Sequence, residues 1–209
     1  ILGRPITWLM TNLTDQLKGM GGSSAIVLGL ILGAMMGFDL GGPINKVAYS
    51  FGVAGLTEGL SKNLPADATQ YKIMAAVMAA GMVAPFAMAL ATTIRPHLFS
   101  EPERENGKAA WLLGASFISE GAIPFAAADP VRIMVSSVIG SAITGALAMS
   151  LGSTLMAPHG GIWVGLLIGK LWAFLLALVV GTLVMTGIVL VLKQRDHSAA
   201  AAAAHAVEA

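Results

Sequence analysis

Cysteine is absent from all 209 residues. The chain therefore has no disulfide framework, no thiolate metal site and no cysteine nucleophile. Charge is scarce as well: Asp, Glu, Lys and Arg make up 11% of the chain, against about 25% in soluble domains. Twelve Lys and Arg face eleven Asp and Glu, a formal net charge of +1, so the chain carries no basic footprint and no nucleic-acid partner is expected. The phosphate-binding loop, the dinucleotide fingerprint, H-E-x-x-H and G-x-S-x-G are all missing. No cofactor, metal or free-standing enzyme is expected. No cleavable signal is visible, since residues 1–20 are amphipathic and lack a basic start with a long apolar centre. The chain opens on Ile1 without an initiator methionine, and a piece of a longer polypeptide is the expectation.

What the chain does have is apolar surface: 56% of its residues are hydrophobic, with 25 glycines and 12 methionines suited to close helix packing. That balance predicts an all-α integral membrane protein, a multi-span helical bundle. A helix crossing hydrocarbon needs about 20 mainly apolar residues. Segments 23–38, 71–93, 131–151 and 171–192 meet or approach that, and Pro85 is expected to kink the second. Segment 44–60 carries Lys46 and Glu58 and is ambiguous. Segments 109–128 and 152–169 are apolar but short and broken by Pro124, Pro158 and the Gly160–Gly161 pair. Irregular backbone at membrane depth must be buried in protein or line a cavity, and paired short, interrupted segments point to a transporter's binding site. Two re-entrant helical hairpins meeting near the midplane are expected. The division of the chain is then an amphipathic entry segment at 1–22, a membrane transport domain at 23–192 and a low-complexity cytoplasmic tail at 193–209. Arg95, Arg104 and Lys108 in a loop expected at 94–108, and Lys193 and Arg195 after the last span, assign both flanks to the cytoplasmic side.

Three constellations carry the chemistry. In FISEGAIPFAAADPVRI, residues 117–133, Glu120 is an intramembrane acid and so a functional candidate by default. Gly121 beside it permits close backbone approach to a ligand, whereas pairing with Arg132 is the plain alternative. Asp129 is expected to cap the next helix and to pair with Arg132 across i,i+3. In APHGG, His159 stands before Gly160 and Gly161, and a neutral imidazole both donates and accepts, which suits a sugar hydroxyl; a buried histidine bonded to a carbonyl is the equal alternative. In GFDLGGPINK, residues 37–46, Asp39, Asn45 and Lys46 surround a Gly-Gly-Pro turn. An Asp39–Lys46 pair is the bland reading; direct contact of Asp39 and Asn45 with a solute is the sharper one.

Together, GFDLGGPINKVAYSFG, FISEGAIPFAAADPVR and APHGGIWV resemble the membrane component, enzyme IIC, of the fructose family of the bacterial sugar phosphotransferase system, over about residues 1–192. The resemblance implies the transport half of a multi-pass permease of the bacterial cytoplasmic membrane, surrounded by lipid and homodimeric in its full-length form. It implies fructose as substrate and a separate enzyme IIB domain whose phosphocysteine delivers fructose 1-phosphate. It further implies that Glu120 binds sugar hydroxyls and acts as catalytic base, with His159 facing the same site. Mannose or a mannosyl-glycerate-type sugar stays open as substrate. Outside the family, a proton-coupled transporter or a non-transporting membrane subunit stays open.

Overall fold

A computed structural model describes the backbone of residues 22–208 and the side chains of residues 24–195. The expected entry segment lies, but for Gly22, outside the described residues. Among the described residues seven α-helices follow one another: α1 (Gly22–Phe38), α2 (Pro43–Ser61), α3 (Thr69–Ile94), α4 (Glu101–Ala115), α5 (Ile123–Ala128), α6 (Pro130–Leu151) and α7 (Leu171–Glu208). Three stretches among the described residues are long and apolar enough to cross a membrane: Thr69–Ile94, Pro130–Leu151 and Leu171–Arg195. Ser24–Phe38 is apolar but shorter. The ambiguous segment is a helix, α2, that buries Ala48, Phe51, Gly52 and Leu56. Its end holds the Glu58–Lys62 pair at 2.7 Å. The alanine-rich tail, to which composition assigned no fold, continues the backbone of α7 to Glu208, in keeping with alanine's helix propensity.

α3 is the hub, packed by α1, α2, α4, α6 and α7. Its Met- and Ala-rich sequence is buried on every side, as a helix without a polar face must be. Gly29, Gly33 and Gly37 of α1 meet Gly145, Ser141 and Ser137 of α6, so that a Cβ on any of the three would collide with α6 backbone. Small residues four apart thereby make an antiparallel seam. Two hydroxyls buried in this apolar bundle find carbonyls on a neighbouring helix: Ser141 donates to Ala80 (3.0 Å) and Thr186 to Ala87 (3.2 Å). Such pairing removes the desolvation cost of an orphaned group.

Three local expectations need correction. The stretch 94–108, read as a loop, is mostly helical: after a short 3-10 turn at Pro96–Leu98, α4 begins at Glu101. A capping box explains it, with the Glu103 carboxylate accepting from the Ser100 backbone N–H (2.8 Å) and Ser100 receiving Glu103 N–H in return. The stretch 152–169 is no helical hairpin. Thr154–Leu155 pairs antiparallel with Ile168–Gly169 around a 3-10 segment at Gly161–Leu167. Positive φ at Gly152 (70°), Gly160 (123°) and Gly161 (61°) breaks helical propagation there. Asp129 occupies the N-cap position of α6, yet its side chain accepts no backbone N–H. Its carboxylate takes the Arg132 guanidinium instead, at 2.8 Å. Asp129 and Arg132 thus answer each other, and Glu120 is left to its own surroundings.

The two irregular segments approach from opposite ends of α3. Gly152 lies beside Lys72 near the start of that helix, whereas Gly107 of α4 packs on Thr92 near its end. At the α4 end, Lys193 of α7 reaches Glu103 at 2.9 Å and stands 4.6 Å from the Phe99 ring centroid. The two basic flanks expected on one side of the membrane therefore share one end of the bundle.

Candidate functional site

The turn between α4 and α5 is held by a defect in α3. Proline has no backbone N–H, so Pro85 leaves the Gly81 carbonyl without its partner four residues on. Ser119 Oγ donates to that carbonyl at 2.7 Å, in a buried contact. α3 runs on through Pro85 as one helix of 26 residues. The hydrogen bond that Pro85 removes becomes a docking point. Gly81 itself must be glycine, because a Cβ there would meet Phe117 and Met36. The turn continues through Phe117, whose φ of 62° is rare for a bulky side chain, and which sits buried under the next segment. Strain of this kind persists where surrounding packing enforces it.

Glu120 emerges from this turn exposed. Among the described residues its carboxylate has no hydrogen-bond or ion-pair partner within the chain. It lies against the α1–α2 junction: a Cβ on Gly41 would stand 2.5 Å from Glu120 Oε1. Gly41 also has φ 104°, so space and backbone both demand glycine there.

That junction is closed by two side chains. Asp39 Oδ2 accepts the Ile44 N–H (2.7 Å) and Asp39 Oδ1 the Asn45 N–H (2.9 Å), satisfying the start of α2. Asn45 Nδ2 donates to the Met36 carbonyl at the end of α1 (2.7 Å). The Asp39–Lys46 ion pair therefore does not form, because the Asp39 carboxylate is taken by backbone. Lys46 remains exposed, with no carboxylate partner among the described residues.

The third wall is the Pro158–Gly161 loop. Gly161 packs on the Ala115 carbonyl so closely that no Cβ fits. His159 is thereby set 5.1 Å, between ring centroids, from Phe117 and 6.4 Å from Tyr49, which is itself 6.0 Å from Phe117. The Phe117 and Tyr49 rings and the Met36 side chain form the apolar side of a cavity of about 170 Å³. Its polar side comprises Glu120, His159, Asn45, Lys46 and Ser119.

Of the six residues expected to touch a solute, Glu120, His159 and Asn45 line this cavity. The other three stand behind it. Asp39 is the α2 cap, Gly121 is buried against Leu113 and Pro85, and Gly160 supplies a positive-φ bend beneath Val164. Tyr49 and Phe117 were missed. Tyr49 had a signal, since it follows Asn45 by four residues and shares its helix face. Phe117 had none, because its direction depends on a backbone conformation that residue type disfavours. A larger hollow of about 480 Å³ lies between Phe38 and the start of α6, but every residue lining it is apolar. Among the described residues no cluster of His, Cys, Asp or Glu could hold a metal ion.

A carboxylate, an amide, an imidazole and aromatic faces in a small concavity match a polyhydroxylated ligand: hydroxyls for the acceptors, C–H faces for the rings. Comparison with known proteins agrees in kind. The chain is 50% identical over 197 residues to a fructose-specific EIIB'BC component of the phosphotransferase system from Rhodobacter capsulatus, covering 93% of this chain and 32% of that protein. A fructose-specific EIIC component from Haloferax volcanii is 47% identical over 194 residues, 92% of this chain and 49% of its own length. A fructose permease IIC component from Bacillus amyloliquefaciens is 41% identical over 194 residues, 93% of this chain and 60% of its own. The chain thus spans about a third to three-fifths of the length of these relatives. No family model and no solved structure matches it. With apolar helices able to cross a bilayer and such identity over nine-tenths of its length, this multi-pass membrane chain belongs to the fructose family of phosphotransferase-system membrane components, enzyme IIC.

Proposed function

We propose that this chain forms the sugar-binding part of a fructose permease that imports its substrate and releases it as fructose 1-phosphate. One observation carries the reading: an unpartnered carboxylate, Glu120, stands in a small cavity beside Asn45, His159 and an aromatic wall. A buried cap or a structural ion pair would have spent that carboxylate inside the protein, as Asp39 and Asp129 are spent. In this reading Glu120 accepts sugar hydroxyls. The Asn45 Oδ1, with no protein donor among the described residues, accepts another, and His159 both donates and accepts. The segments around 109–128 and 152–169 act as re-entrant pieces that bring these groups to membrane depth.

The partner is an enzyme IIB domain carrying phosphocysteine, approaching from the cytoplasmic side of the bacterial inner membrane. The relatives fused to such components by name support this. The sugar 1-hydroxyl oxygen attacks phosphorus, a P–O bond forms as the S–P bond breaks, and the thiolate leaves. Glu120 is placed to take the hydroxyl proton as general base. The charge on the product then prevents its return through the membrane. Homodimerisation belongs to the full-length protein in this reading.

Fructose binding to the purified chain in detergent tests the proposal, with mannose as competitor. Fructose-selective binding that falls by about tenfold or more in Glu120→Gln and His159→Ala is expected, given the usual worth of hydrogen bonds to charged and polar groups. Binding that survives Glu120→Gln unchanged refutes the assignment.

A further inference from the structure

We infer that Lys46 forms a phosphate subsite at the edge of the sugar cavity, holding the phosphoryl group of the phosphorylated product. This rests on the function proposed above. Four titratable side chains line the cavity, Glu120, His159, Tyr49 and Lys46, and Lys46 alone among them is a lysine or arginine. A hexose is neutral and gives an ammonium nothing to neutralise. A structural duty would account for Lys46, and the obvious one is absent. Asp39, seven residues earlier, has both carboxylate oxygens on the Ile44 and Asn45 N–H groups. Glu120 makes no ion pair, and Lys46 is without a partner among the described residues. Other basic side chains are spent elsewhere: Lys62 on Glu58, Lys108 on Glu105, Arg132 on Asp129, Lys193 on Glu103 and Lys170 on the Leu151 carbonyl.

Lys46 follows Asn45, whose backbone N–H is fixed by Asp39 and whose amide is fixed by Met36. Its Cα is therefore rigidly placed, while its long stem leaves the ammonium free to move. That suits a group meeting an oxyanion that arrives only after transfer. Once a sugar hydroxyl carries phosphate, the cavity holds new negative charge, while the hydroxyl proton has gone to Glu120. A cation at the edge of the cavity meets that charge through a charge-assisted hydrogen bond. An interaction made with the phosphorylated form and not with the neutral sugar favours the product side of the transfer.

The test compares fructose with fructose 1-phosphate on the purified chain in a detergent free of phosphate headgroups, by calorimetry, for wild type, Lys46→Gln and Lys46→Arg. Lys46 is exposed, so neither variant threatens the fold. Lys46→Gln is expected to weaken fructose 1-phosphate at least about tenfold more than fructose, as loss of a charge-assisted hydrogen bond does. Lys46→Arg is expected to restore most of that difference. The two ligands are expected to compete for one site. Equal losses for both ligands overturn the subsite and leave the sugar site standing. So does wild type that binds fructose but not fructose 1-phosphate. Wild type that binds neither overturns the sugar site, and the subsite with it.

Discussion

Ser119→Ala tests how the binding turn is held. The hydroxyl meets a carbonyl that no backbone N–H can serve, since Pro85 stands four residues beyond Gly81. Removing it leaves a buried acceptor unsatisfied, which costs about 1–3 kcal/mol. The methyl that remains fills nearly the same space, so packing contributes little. Unfolding of the chain in mild detergent, followed by circular dichroism, reads the loss, and fructose affinity reads its effect on Glu120 next door. The decisive comparison adds Pro85→Ala. Alanine restores the N–H, α3 satisfies its own carbonyl, and the serine loses its special acceptor. Ser119→Ala should therefore cost about half as much or less in the Pro85→Ala background, a coupling of about 0.5–2 kcal/mol in a double-mutant cycle. Additive single effects would refute the idea that the proline and the serine form one device.

Further predictions follow from the same geometry. Asp39→Ala removes the acceptor of two N–H groups at the start of α2 and is expected to cost about 1–2 kcal/mol of stability; fructose affinity lost in a fully folded Asp39→Ala protein would contradict its role as a cap. Gly41→Ala meets both a positive φ and the Glu120 carboxylate, so it should abolish sugar binding with a smaller change in melting temperature. Burial pushes the Glu103 carboxyl up, but the Ser100 backbone N–H, the Lys193 ammonium and the Ser100 hydroxyl outweigh it and hold the group below its usual value. A lowered value means the stabilisation is complete above the unfolded carboxyl's range, about pH 4.3, and is lost as pH falls through the folded value. Melting temperature should drop there on acidification, and Lys193→Met should flatten that part of the curve while lowering stability at neutral pH.

Much of the helix plan was legible in the sequence because bilayer physics writes it in long apolar runs: α3, α6 and α7 appear where 71–93, 131–151 and 171–192 predict them. Three broken motifs were equally visible, since Gly and Pro have few uses inside a hydrophobic chain. What escaped was the partner each polar group takes. Asp39 is near Lys46 in sequence, but a new helix start offers it two N–H groups at shorter reach. Asp129 takes Arg132 as the i,i+3 spacing predicts; what escaped is that it does not also cap the helix start where it stands. Ser119 beside Glu120 gave no hint of a proline 34 residues earlier. The strand pair at Thr154–Leu155 and Ile168–Gly169 was hidden because two-residue strands leave no period to read. The S-x-x-E box at Ser100 was readable and was passed over in favour of its charge.

The glycine and serine seam between α1 and α6 has a mechanical meaning. Gly29, Gly33 and Gly37 nest against Gly145, Ser141 and Ser137 with backbone touching backbone. Sliding one helix along the other by less than a four-residue step, about 6 Å, would drive side chains into main chain. The seam works as a ratchet with coarse teeth. α1 leads into the Gly41 wall of the cavity, and α6 follows directly from the segment bearing Glu120. Locking the two helices in register keeps opposite walls of the cavity at a constant gauge, so the cavity between them keeps its width for as long as the seam holds.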